Sequence, residues 1–141
     1  MAAKQDRITV NGRDYMVSPL LAKDLEEERS KQFVQSFDQM CMRVHAVAVE
    51  KGWWPSTGRN TAEMIALIHS ELSEALEAAR LGVDIPDDQL IMFTNFEVEL
   101  ADAMIRIMDL ATAMQLDLGA AIVEKTKFNR KRPFMHGGKA F

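Results

Sequence analysis

Apolar side chains recur at helical spacing along most of the chain. Between residues 32 and 51, Phe33, Phe37, Met40, Val44, Val47 and Ala48 follow the 3.6-residue period, and Gly52 ends the run. Asn60-x-x-Glu63 is a capping-type start for a second helix, expected to run to about Leu81 before Gly82. A third helix is predicted over about 95–115, and a fourth from a cap at Asp117 to about Arg132, where Pro133 stops it. Near the start the period changes. Residues 8–17 place Asn11-Gly12 between short runs holding Ile8, Val10, Tyr15 and Val17, a hairpin pattern because both turn positions accept positive φ. Ser18-Pro19 then suits a helix start, with LLAKDLEEERSK as a lead-in helix. The expected architecture is all-α, a four- to five-helix bundle with a small N-terminal β-hairpin. It divides into residues 1–30 (hairpin and lead-in helix), 31–133 (helical domain) and 134–141 (C-terminal tail).

Composition narrows the class. The 141 residues are 48% hydrophobic and 27% charged, enough for one core and too few for two. A single cysteine, Cys41, excludes an internal disulfide framework and a Cys-rich zinc site. No apolar run approaches a membrane span, and MAAKQDRITV lacks the apolar centre of a secretory signal, so a soluble cytoplasmic protein is expected. Net charge is −4 but uneven: residues 118–141 hold six basic side chains against Glu124 alone, while the preceding 117 hold 11 basic and 20 acidic. An acidic body with a basic end does not suit a stable nucleic-acid partner.

Some of the acidic residues sit where solvation does not account for them. Glu71 and Glu74 share one face of the second helix, and Glu99 and Asp102 share one face of the third, by i, i+3 spacing. Glu71 falls inside the apolar stripe, between Leu67, Ile68, Ala75 and Ala78; an ionised carboxylate there needs a partner or a metal. The third helix is apolar almost all round, except for an arc holding Glu99, Asp102, Arg106 and Asp109. That arc reads either as a solvated face, with Asp102 and Arg106 paired at i, i+4, or as the second half of a carboxylate site. Four converging carboxylates would select a hard, oxygen-preferring cation, Mg²⁺ or Mn²⁺. No Glu precedes any His by three residues, which argues against a di-iron bundle. Lys125, Lys127, Arg130, Lys131 and Arg132 on the fourth helix suit a polyphosphate beside such a metal, or equally a cationic helix C-terminus that complements the macrodipole. No P-loop, HExxH, nucleophile elbow or EF-hand loop occurs.

The segments ALIHSELSEALEAAR (66–80), EVELADAMIRIMDLA (97–111) and IVEKTKFNRKRP (122–133) together resemble the MazG-like nucleoside triphosphate pyrophosphohydrolases of the all-α NTP pyrophosphatase superfamily. The family hallmark, ExxE followed by ExxD, is matched by Glu71/Glu74 and Glu99/Asp102, and the likeness covers about residues 33–133. The resemblance implies Mg²⁺-dependent hydrolysis of a (deoxy)nucleoside triphosphate to the monophosphate and pyrophosphate. Glu71, Glu74, Glu99 and Asp102 would be catalytic and metal-binding, one of them orienting the attacking water. Lys125, Asn129 and Arg130 would contact the triphosphate. His45 and Trp54 match a base-binding pair of related members, with Trp53 competing for the stacking role. Arg106 replaces an aromatic residue of some members, and either pairs with Asp102 or reaches a phosphate. The ending RPF-x-HGGKAF looks like that of compact members acting on dATP or dGTP. Assembly into a homodimer or homotetramer is also implied, and the third helix independently asks for it. The rival reading is a non-catalytic helical nucleotide-binding or dimerisation module.

Overall fold

A computed structural model of the chain describes residues 6–10, 13–17 and 19–133. The Asn11-Gly12 turn, Ser18 as a helix cap and the tail 134–141 lie outside the described residues. The architecture is all-α apart from one hairpin: β1 (Asp6–Val10) and β2 (Arg13–Val17), then α1 (Pro19–Glu50), α2 (Thr61–Leu81), α3 (Asn95–Ala113) and α4 (Leu118–Arg130). No helix among the described residues is long and apolar enough to cross a membrane.

The lead-in helix and the first long helix are one. From Leu20 to Lys51 the chain contains neither glycine nor proline, so nothing interrupts the backbone ladder, and α1 runs for 32 residues. It stops at Gly52, whose φ of 81° is the left-handed conformation that glycine adopts without a Cβ penalty. The Gly52 N–H donates to the Val49 carbonyl and the Trp53 N–H to the Ala48 carbonyl, the paired bonds of a Schellman stop. This stop sets the direction in which Trp53 and Trp54 leave the helix.

Two compact units share α1. One comprises Met1–Phe37 with Gly119–Phe141, the other Asp38–Leu118. In the first unit β1 and β2 pair antiparallel, Ile8 opposite Tyr15, and Arg7 is ion-paired with Asp14. There the N-terminal half of α1 is tied to α4 by Arg130, which donates to Glu26 at 2.7 Å.

In the second unit α2 and α3 form a helical hairpin joined by residues 82–94. The buried contacts are mostly small: Ala75 and Ala78 of α2, Ala103 and Ala111 of α3, with Met64, and with Cys41 from α1. Alanines let the backbones approach closely and bring the polar side chains beside them within reach across the pair. Larger apolar residues stay outside, with Leu72, Leu76, Leu100, Met104 and Ile105 all between 40% and 53% exposed.

The start of α3 carries a signal that the apolar period alone misses. The Thr94 hydroxyl accepts from the Glu97 N–H at 3.2 Å, and the Glu97 carboxylate accepts from the Thr94 N–H at 2.8 Å, a reciprocal capping box. Asn60 caps α2 more simply, its side-chain oxygen accepting from the Ala62 N–H at 2.9 Å. Because α3 carries half of the acidic cluster described below, its cap has a measurable consequence. Thr94→Ala is expected to lower unfolding free energy by about 1 kcal/mol, read from urea denaturation at pH 7.

Candidate active site

Both halves of the ExxE/ExxD pattern lie in the second unit, on facing sides of the α2–α3 hairpin. Glu71 is buried, and Glu99 and Asp102 are half-buried. One carboxylate oxygen from each of these three lies within 4.8 Å of the others. Glu74 is exposed, and with Glu71 and Asp102 it lines a cavity of about 460 Å³. Val44, Val47 and Ile105 form an apolar stretch of the same cavity, and Lys51, Trp53 and Arg106 also line it.

Electrostatics follow from this crowding. Burial pushes the Glu99 carboxyl above its ordinary value, and the charges of Glu74, Asp102, Glu71 and Asp87 push the same way. Burial and then Glu71 raise Asp102, against an opposing contribution from Arg106. Asp87, from the α2–α3 connection, was not singled out by the motif. It caps its own loop, accepting from the Gln89 and Leu90 N–H groups.

Arg106 does not pair with Asp102. Its Nε–H donates to the Glu71 carboxylate at 2.5 Å, across the helix pair, instead of to Asp102 on its own helix. The physical reason is solvation: the Glu71 side chain is 8% exposed and cannot turn to water, whereas Asp102 is only half-buried.

Asp109 likewise departs from the solvated-face reading of its arc. It is buried, and its carboxylate accepts from the Trp54 indole N–H at 2.9 Å and stands 2.7 Å from His45 Nδ1. The geometry suits donation from His45 Nδ1–H to that carboxylate. The two rings meet edge-on, with centroids 5.2 Å apart. His45 and Trp54 are therefore brought together, as their pairing as base-binding candidates requires, but through a third residue. The signal for Asp109 was its place one heptad after Asp102 on the polar stripe, which side-chain type alone does not separate from a surface charge. Trp53 is exposed at the cavity, and the Arg59 guanidinium lies 5.8 Å from its ring and 5.6 Å from that of Trp54.

Lys125, Asn129 and Arg130 are on α4, in the other unit. There the Lys125 ammonium stands 5.0 Å from the Phe128 ring centre, the Asn129 carbonyl accepts from the Arg132 N–H, and Arg130 is paired with Glu26.

The donor set is chemically uniform. Glu71, Glu99 and Asp102 offer oxygen only, with no His or Cys among them, which fits Mg²⁺ or Mn²⁺ and disfavours zinc or copper. Mutual repulsion and the burial of Glu71 are strains that a divalent cation would relieve. No protein-family model matches the chain, and no curated protein or solved structure matches it either.

Two measurements probe this geometry. Asp109→Ala leaves the Trp54 and His45 donors without their acceptor and is expected to cost about 2–3 kcal/mol in urea unfolding, well beyond Glu77→Ala on the exposed face of α2. The raised carboxyls set a pH dependence of definite sign. With folded values above the ordinary 4.5 of Glu99 and 3.8 of Asp102, the folded protein binds more protons than the unfolded chain, so stability falls as pH rises through that window. In EDTA, Glu99→Gln is expected to raise the melting temperature at pH 7 by roughly 2–5 °C, with the gain vanishing near pH 4.

Proposed function

We propose that the protein is a MazG-like nucleoside triphosphate pyrophosphohydrolase, converting a (deoxy)nucleoside triphosphate to the monophosphate and pyrophosphate. The ending RPF-x-HGGKAF points to a purine deoxynucleotide such as dGTP or dATP as one candidate substrate. The observation that carries this reading is the convergence of Glu71, Glu99 and Asp102 from two helices, with Glu71 and Asp102 lining a cavity that Arg106, Lys51 and Trp53 also line.

In this reading Glu71, Glu99 and Asp102 hold Mg²⁺, and Glu74 completes the acidic rim. The bound ion supplies charge neutralisation for the triphosphate and a lowered barrier for water attack. The chain does the rest by position. One carboxylate of the acidic group orients the attacking water and accepts its proton. Lys51 and Arg106 face the same space and suit anionic oxygens. Trp53, with Val44, Val47 and Ile105, offers an apolar platform for a base. The Asp109 clamp holds His45 and Trp54 in one orientation. Lys125, Asn129 and Arg130 are the triphosphate contacts that the resemblance assigns. The exposed apolar side chains of α2 and α3 support assembly as a homodimer or homotetramer.

The test is direct. Incubation with each common (d)NTP and Mg²⁺ is expected to release monophosphate and pyrophosphate in equal amounts from at least one. EDTA is expected to abolish this, and Asp102→Asn to slow it by at least about 100-fold. Metal and nucleotide binding with no turnover of any triphosphate would select the non-catalytic nucleotide-binding module instead.

A further inference from the structure

The Arg106–Glu71 pair has an asymmetry that bears on how the site is loaded. Glu71 is held on the core face of α2, its side chain 8% exposed; Arg106 reaches it from α3 with a side chain 33% exposed. Both border the cavity, and Arg106 is the more exposed of the two. The pair supplies a single positive charge to a cluster of three carboxylates. Its one short bond, from Nε at 2.5 Å, satisfies one carboxylate.

We propose that Arg106 is a built-in, displaceable cation: it neutralises Glu71 while the site is metal-free and leaves when a divalent cation binds the cluster. This inference rests on Glu71, Glu99 and Asp102 being cation ligands, and not on the reaction that follows. A divalent ion brings twice the charge and engages oxygens from all three carboxylates, where the guanidinium engages one. Both cations on the Glu71 carboxylate would repel each other at close range, and the more exposed one yields. Arg106 thus keeps the buried carboxylate paired until the metal replaces it, and its competition lowers the apparent affinity for metal. Once released, the guanidinium has lost its anionic partner and borders the cavity that Lys51 also lines, so metal binding makes the site more receptive to an anion.

Two measurements on the full chain decide it. Isothermal titration with Mg²⁺ is expected to show Arg106→Gln binding on the order of tenfold more tightly than the natural chain, since the competitor is gone. In the natural chain, the ¹⁵N-detected Arg106 Nε–H resonance, identified by its loss in the Arg106→Lys protein, is expected to move from an ion-paired to a water-exchanging position as Mg²⁺ saturates. Equal or weaker Mg²⁺ binding by Arg106→Gln, no Mg²⁺ binding by the natural chain, or an Arg106 signal unmoved at saturation would each overturn the proposal. If Arg106→Gln fails to fold, the resonance of the natural chain decides alone. Neither readout involves turnover. A chain that meets both but hydrolyses no triphosphate keeps this inference and loses the proposed activity, and a hydrolysing chain that fails them does the reverse.

Discussion

A carboxylate on the core side of a helix is the constraint around which the second unit is arranged. Glu71 cannot be solvated where it stands, and leaving it unpaired would cost several kcal/mol. α3 must therefore present a positive charge to α2 at that level, and Arg106 does so. With Arg106 directed across the helix pair, Glu99 and Asp102 on the same stripe are carried to the same place. The acidic cluster and its counter-ion are thus a single feature of the hairpin.

Small side chains make that arrangement reachable. Ala75 and Ala78 of α2 and Ala103 and Ala111 of α3 are the most deeply buried apolar residues of the pair. A heavier interface would exchange electrostatic reach for hydrophobic area. The choice leaves large apolar side chains outside, among them Leu76 and Met104, and leaves the unit depending on polar contacts for part of its definition. Asp109 is the clearest of these contacts. It stands two turns beyond Asp102 on the same stripe, but its carboxylate is used to lock His45 and Trp54, so one helix face carries both part of the acidic cluster and the acceptor that places the rings.

Much of this was legible beforehand. Apolar periodicity placed α2 and α3 almost to the residue, because long amphipathic segments bounded by Asn60, Gly82 and Pro86 leave few alternatives. Glu71 could be singled out because a charge among Leu67, Ile68 and Ala75 contradicts its surroundings. The number of helices was less certain: Ser18-Pro19 and the apolar run from Phe33 look like two starts, yet no residue between them can break a helix. The Thr94/Glu97 box was there to be read but sits among the residues of an irregular-looking connection. The burial of Asp109 was not legible, since a heptad position states which helix face a side chain takes and not what covers that face.

The chain by itself determined the helical class, the hairpin near its start, the faces on which the carboxylates lie and the demand that Glu71 be compensated. These are local properties, set by backbone sterics and by the 3.6-residue period. Only the tertiary structure decided that Arg106 answers Glu71 instead of Asp102, and that Asp109 is the buried acceptor for His45 and Trp54. Both decisions depend on which charges lose their water when helices meet. That loss is a property of the packed pair, and no single helix carries it.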